Sequence, residues 1–203
     1  MELKGFYNTD CMEGMKEIPD KYFDLAIVDP PYGIDVNKMN MGSRKNVKPS
    51  DKEWDKEVPD KEYFEELFRV SKNQIIWGGN YFELRPSRGF VIWDKGESMY
   101  GRSFAECEFA WLSQDVSARI YKLNPNQKNR FHPTQKPVAL YHWLLNNYAK
   151  EGDKILDTHV GSASSLIACH DMGFEYLGFE LDEDYYRMAS ERLEAHEAQL
   201  SLF

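Results

Sequence analysis

Short apolar runs alternate with amphipathic stretches along most of this chain, and the two periods separate cleanly. Leu25-Ala26-Ile27-Val28, closed by Asp29 and two prolines, reads as a buried strand. Runs of the same kind predict strands over 5–8, 25–29, 74–77, 90–93, 109–112, 154–157 and 176–179, seven in all. Helical spacing predicts helices over 11–18, 61–70, 137–149, 164–172 and 183–198. Asp182 is the predicted N-cap of the last helix, with acids in its first turn, and Pro137 is predicted at a first helical position. Alternation of this kind argues for an α/β fold with a mostly parallel sheet covered by helices on both faces. Two polar, breaker-rich stretches, 33–59 and 114–131, are read as long loops, and loops of that length inside a domain are usually functional.

The chain has 203 residues, enough for one packed α/β domain spanning 1–203. Its formal net charge of -9 argues against a bulk nucleic-acid binder, so positive charge must act locally. It does cluster locally. The first loop carries Lys38, Arg44, Lys45 and Lys48, and the second carries Arg119, Lys122, Lys128 and Arg130, each with few acids. Such loops can face phosphates on one side of an otherwise repulsive protein. They also read equally well as solvated loop charge. Cys11, Cys107 and Cys169 are odd in number and widely spaced, which implies a reducing compartment, no disulfide framework and no metal site. No apolar run approaches membrane-spanning length and no signal pattern opens the chain, so a cytoplasmic protein is expected.

Candidate chemistry sits at strand ends. Asp29-Pro30-Pro31-Tyr32 places an acid, a rigid turn and a ring at the carboxyl end of a strand, where open α/β sheets bind ligands. That set suits a planar base held by its exocyclic amine. It reads alternatively as a strand-ending proline turn with a solvated acid. The stretch from Lys154 to Glu180 reads strand, small-residue turn, helix, strand, acid. Its turn, from Asp157 through Thr158, His159, Val160, Gly161, Ser162 and Ala163 to Ser164, lets backbone approach a ligand at a helix start. Glu180 suits ribose hydroxyls. The spaced-glycine phosphate fingerprint is incomplete, which favours a nucleoside over a dinucleotide.

The order of Asp29-Pro30-Pro31-Tyr32, then His132-Pro133-Thr134-Gln135-Lys136-Pro137, then the small-residue turn resembles the β-group of S-adenosylmethionine-dependent DNA amino-methyltransferases. In that group the catalytic half precedes the cofactor half, a circular permutation of the motif order. The resemblance covers most of the chain and implies a Rossmann-like, seven-stranded methyltransferase sheet. Asn8-Thr9-Asp10-Cys11, Trp77-Gly78-Gly79-Asn80-Tyr81 and Trp93-Asp94-Lys95 also resemble family segments. By resemblance Asp10, Cys11, Asp29, Thr134, Lys136, Asp157, His159, Gly161, Ser162 and Glu180 bind S-adenosylmethionine. In that reading Lys136 reaches the cofactor carboxylate or a DNA phosphate. Thr158, His159 and Ala163 stand where the family reads Pro, Phe and Gly, predicting a looser turn without the usual ring.

The resemblance implies methyl transfer to a flipped-out base in double-stranded DNA. Asp29 and the Pro30 carbonyl would hold the amine, Pro31 would stiffen the turn, and Tyr32 would stack on the base. Asp at the first position points to adenine N6. Cytosine N4, a protein glutamine methyltransferase and a decayed DNA-binding protein are the alternatives. A homodimer is a further option. Gln199-Leu200-Ser201-Leu202-Phe203 resembles the peptide by which bacterial replication proteins bind the sliding clamp, and it reads alternatively as a segment folding back on its own domain.

Overall fold

Strands form where the apolar runs lie, and their pairing gathers the candidate acids at one edge of a single sheet. The structure, a computed structural model, describes residues 1–34, 57–127 and 129–200. Along the chain run β1 (Gly5–Asn8), α1 (Cys11–Lys16), β2 (Phe23–Val28), α2 (Lys61–Val70), β3 (Ser71–Trp77), β4 (Phe90–Asp94), β5 (Cys107–Leu112) and β6 (Arg119–Lys122). They are followed by α3 (Val138–Tyr148), β7 (Lys154–Asp157), α4 (Ser164–Asp171), β8 (Glu175–Glu180) and α5 (Glu183–Leu200). The described strands form one sheet in the order β1-β8-β7-β2-β3-β5-β4-β6. Within it β5 alone runs against its neighbours, β3 and β4.

Alternation along the central strands sends side chains to two layers. Leu25, Ile27, Ile75 and Trp77 pack with Leu140, Leu144 and Leu145 of α3. Ala26, Val28 and Ile76 pack with Met15 of α1 and with Tyr63, Leu67 and Val70 of α2. Helices therefore cover both faces. From β2 the chain leads through α2 to β3 on one side, and from β7 through α4 to β8 on the other. The crevice between the carboxyl ends of β7 and β2 is thus the switch point at which such sheets bind ligands.

An eighth strand departs from the expected seven. β6 lies inside the stretch 114–131, which reads as loop because its side chains are mostly exposed. Pairing with β4, not a local apolar pattern, makes it a strand. α1 ends at Lys16, short of the expected 18, because the chain must turn before Pro19. Pro137 caps α3 with an extended ψ of 141° and does not begin it. Asp182 caps α5 as expected, its Oδ1 accepting from the N–H groups of Asp184 and Tyr185 at 3.0 Å. Among the described residues no helix is long and apolar enough to cross a membrane. Gln199 is exposed on the last turn of α5, while the Leu200 side chain and residues 201–203 lie outside the described residues.

Gly178 in β8 is where the small-residue turn lies on the sheet. A Cβ there would stand 2.6 Å from Val160 Cγ2 and 3.0 Å from Leu166 Cδ1. Gly178→Ala should therefore cost about 1–3 kcal/mol through overpacking. In thermal denaturation that corresponds to a fall in Tm of roughly 2–4 °C per kcal/mol. An unchanged Tm would show that the turn does not rest on this strand.

Candidate active site

β2 delivers Asp29 to the carboxyl edge of the sheet, and Pro30 and Pro31 keep the chain from continuing the ladder. Asp29 Oδ1 accepts a hydrogen bond from the Tyr32 hydroxyl at 2.6 Å. Its Oδ2 accepts one from Lys136 Nζ. Lys136, 3% exposed, reaches a second acid, with Glu108 Oε2 of β5 at 3.1 Å. Glu108 Oε1 in turn meets Lys95 Nζ at 2.8 Å. Two acids and two bases thus form a charge-balanced chain, Lys95–Glu108–Lys136–Asp29. Aromatic faces flank its cations, with Lys136 Nζ 5.2 Å from the Trp77 ring centre and Lys95 Nζ 5.4 Å from that of Trp93.

Two cavities meet at this chain. The inner one, about 580 Å³, is lined by Asp10, Cys11, His159, Gly161, Ser162 and Glu180 among others. The outer one, about 360 Å³, is lined by Pro30, Tyr32, Asn80, Tyr81, Phe104 and Glu108 among others. Asp29, Pro31, Thr134, Gln135 and Lys136 border both.

Local rules explain the inner wall. Asp10 caps α1 by accepting from Met12 N–H at 2.8 Å. Glu180 Oε2 accepts from Gly161 N–H at 2.8 Å and its Oε1 from Asp182 N–H at 2.9 Å, which pins the turn to the end of β8. Asp157 accepts from His159 N–H at 2.9 Å and from Ser165 Oγ at 2.5 Å. Ala163 holds a left-handed φ of 61° with its side chain fully buried. The turn is not loose: Thr158 Oγ1 lies 2.7 Å from the Tyr63 hydroxyl of α2 and 2.9 Å from His159 Nδ1.

The family model for DNA methylases of the N6/N4 type matches residues 74–191. Type II methyltransferase M.HpaI of Haemophilus parainfluenzae is 36% identical over 92% of this chain and 73% of its own. The chain belongs to the N6/N4 DNA methylase family. Putative methylase YubD of Escherichia coli (strain K12) is 26% identical over 95% of this chain and 91% of its own. Among solved structures, the M1.HpyAVI–SAM complex superimposes with a TM-score of 0.61 at 20% identity, over 92% of this chain and 98% of its own. The cytosine-N4-specific PvuII DNA methyltransferase gives 0.63 at 12%, over 95% of this chain and 90% of its own. Both likenesses are of fold.

Four of the residues predicted from the sequence have partners within the methylase itself. Lys136 was expected at a cofactor carboxylate or a DNA phosphate, and its ammonium is buried between Asp29 and Glu108. Three of the expected DNA contacts are engaged within the protein. Arg119 donates to Asn147 Oδ1 at 2.5 Å, Lys122 pairs with Glu97 at 3.0 Å, and Arg130 donates to the carbonyls of His132 and Pro133. Lys38, Arg44, Lys45, Lys48 and Lys128 lie outside the described residues. The sequence reading missed Glu108, whose apolar flanks read as plain strand, and Tyr63, which reads as helix core. Among the described residues no cluster could hold a metal ion.

Burial sets the methylase's charge states. It works against ionisation of Glu108, but Lys136 and Lys95 overcome it and hold that carboxyl down at about 2. Burial raises Asp29 above the ordinary carboxylate range, with Lys136 pulling it back. It also opposes the Lys136 ammonium, yet Asp29 and Glu108 keep its pKa above the usual lysine value. His159, although part of its ring reaches the cavity, is desolvated to about 4 and is a neutral ring near pH 7. It packs edge-on against Tyr63, ring centres 5.3 Å apart, and so keeps an aromatic ring at this position.

Asp157 and His159 impose opposite pH dependences. Burial raises Asp157 to about 7, so folding takes up a proton there and the associated stability fades as pH rises from about 4 toward 7. Burial lowers His159 to about 4, so its contribution is present above about 6.5 and fades as pH falls toward 4. Asp157→Asn should leave the histidine's dependence, with stability falling as pH drops through 6.5 to 4. His159→Phe should leave the reverse slope. Urea unfolding at stepped pH checks both, and parallel curves for the two variants would refute these assignments.

Proposed function

We propose that this chain transfers a methyl group from S-adenosylmethionine to the N6 amine of adenine in double-stranded DNA. The observation that carries the reading is the meeting of two cavities at the Asp29 carboxylate. The inner cavity fits the donor. Asp10, Asp29, Glu180 and Asp182 line it against one lysine, an acidic surround suited to a sulfonium cation. Asp10, Cys11, Gly161, Ser162 and Glu180 would hold the nucleoside end, with Thr134 and His159 beside the rest, while Asp157 lies buried behind the turn, accepting from His159 N–H and Ser165 Oγ. When bound, S-adenosylmethionine supplies an electrophilic methyl group.

The residues around the outer cavity act on the acceptor. An exocyclic amine is a poor nucleophile because its lone pair is delocalised into the ring. The Asp29 carboxylate, with one hydrogen bond already at each oxygen, keeps lone pairs for an amine N–H. The Pro30 carbonyl takes no hydrogen bond from a described residue and stands ready for the second N–H. Together they draw the nitrogen toward tetrahedral geometry and stabilise the positive charge that develops on it. The protein must also offset roughly a few kcal/mol to extract the base. Tyr32 supports this by stacking. The identity of Asp29 favours adenine. Cytosine N4 is the second reading, favoured by the fold likeness to the cytosine-N4-specific PvuII enzyme.

Incubation with unmethylated DNA and S-adenosylmethionine, then digestion and mass spectrometry of the nucleosides, is the test. N6-methyladenine is the expected product. Asp29→Ala should lower the rate by about 10²–10³-fold, far more than it weakens cofactor binding in calorimetry, since Asp10, Glu180 and Asp182 remain around the inner cavity. N4-methylcytosine would overturn the adenine assignment, and absence of any methylated nucleoside would overturn the reading as a whole.

A further inference from the structure

The aromatic wall of the outer cavity holds a feature that the methyl-transfer reading does not use. The rings of Tyr32 and Tyr81 stack with centres 5.0 Å apart and planes within 12°. Both side chains line the cavity that carries Asp29. A base sandwiched between two rings needs about 3.4 Å on each side, so at this spacing no base fits between them.

The two rings are held very differently. The Tyr32 hydroxyl donates to Asp29 at 2.6 Å. Its ring presses on Gly78, where a Cβ would stand 2.2 Å from Cε1, and Phe82 meets it edge-on at 6.2 Å. Gly78 itself has a φ of 69°, and its N–H is fixed to the Phe109 carbonyl of β5 at 2.8 Å. Tyr32 is therefore anchored. Tyr81 is 47% exposed, and among the described residues its hydroxyl has no hydrogen-bond partner and its ring no aromatic neighbour except Tyr32. Its backbone is fixed by a turn, Tyr81 N–H to the Gly78 carbonyl at 2.8 Å, while the side chain lies half exposed to solvent.

We infer that Tyr81 is a place-holder for the target base: it covers the stacking face of Tyr32 in the free enzyme, and the incoming purine displaces it. This rests on the reading of the outer cavity as the base site. The energetic ordering supports it. A tyrosine pair of this geometry is worth roughly two- to tenfold in equilibrium. A nucleobase on an aromatic ring is worth roughly five- to a hundredfold. The base wins the exchange, but its net gain is reduced by the stack it breaks. Tyr81 thereby discriminates against weakly stacking occupants, which gain too little to displace it, and it keeps the apolar face of Tyr32 from water until DNA arrives.

The experiment is a fluorescence titration of 2-aminopurine deoxyriboside, whose emission is quenched on stacking, with the full-length chain saturated with S-adenosylhomocysteine. Tyr81→Ala should bind the nucleoside about two- to tenfold more tightly than the unaltered protein, the factor that the tyrosine pair is worth. Tyr81→Phe, which keeps the ring and loses only the hydroxyl, should match the unaltered protein. Equal or weaker binding by Tyr81→Ala would overturn the inference, because it would make Tyr81 a passive wall or a clamp. Loss of the Phe equivalence would do so as well, since the hydroxyl would then matter. Nucleoside methylation on DNA is scored in parallel. Normal methylation with an unaltered titration removes the place-holder alone, whereas absent methylation removes the proposed function, and the titration still reads the stack.

Discussion

The Lys136 ammonium, buried between Asp29 and Glu108, is the interaction on which the rest of the site depends. It joins the turn after β2, the antiparallel strand β5 and the segment that leads into α3. Taking such ions out of water costs several kcal/mol each, and their mutual attraction repays this only in good geometry. Here the geometry is supplied by Lys95 on the far side of Glu108 and by the Tyr32 hydroxyl on the near side of Asp29. The arrangement is poor as a means of stability, since apolar residues of similar volume would pack as well. It is suited to placing one carboxyl group at a fixed point.

That point lies where the sheet is least able to vary. The switch between β7 and β2 is set by strand order, and the small-residue turn is set by Gly178 and by the Glu180 carboxylate. Substitutions in the turn are absorbed locally. Thr158 gains a hydrogen bond to Tyr63, and His159 stays neutral and packs as a ring. Departures from the usual family residues therefore do not by themselves loosen this wall.

Much of this was legible in the chain before folding. The apolar runs located seven of the eight strands among the described residues, and the Asp29–Tyr32 turn announced itself by its prolines. The last strand, β6, was illegible because its side chains face outward and only its pairing with β4 makes it a strand. Glu108 was illegible for a related reason. It lies just before the predicted strand 109–112, and its meaning comes from Lys136, which only the folded sheet brings alongside. Lys136 was recognised as functional from its motif, but the motif does not say which anion it faces. Local pattern reveals elements and turns, while partners across the sheet are decided by topology.

In the proposed mechanism Lys136 opposes protonation of Asp29, the acceptor of the target amine. The most direct measurement is the pH dependence of single-turnover methyl transfer by Lys136→Met beside the unaltered enzyme, at saturating cofactor and DNA. Removing the cation leaves a desolvated carboxyl whose pKa must rise. The acidic limb of the profile should move to higher pH, with transfer depressed near neutrality and recovered as pH increases. A profile whose limb coincides with that of the unaltered enzyme would show that Lys136 does not set the ionisation of Asp29.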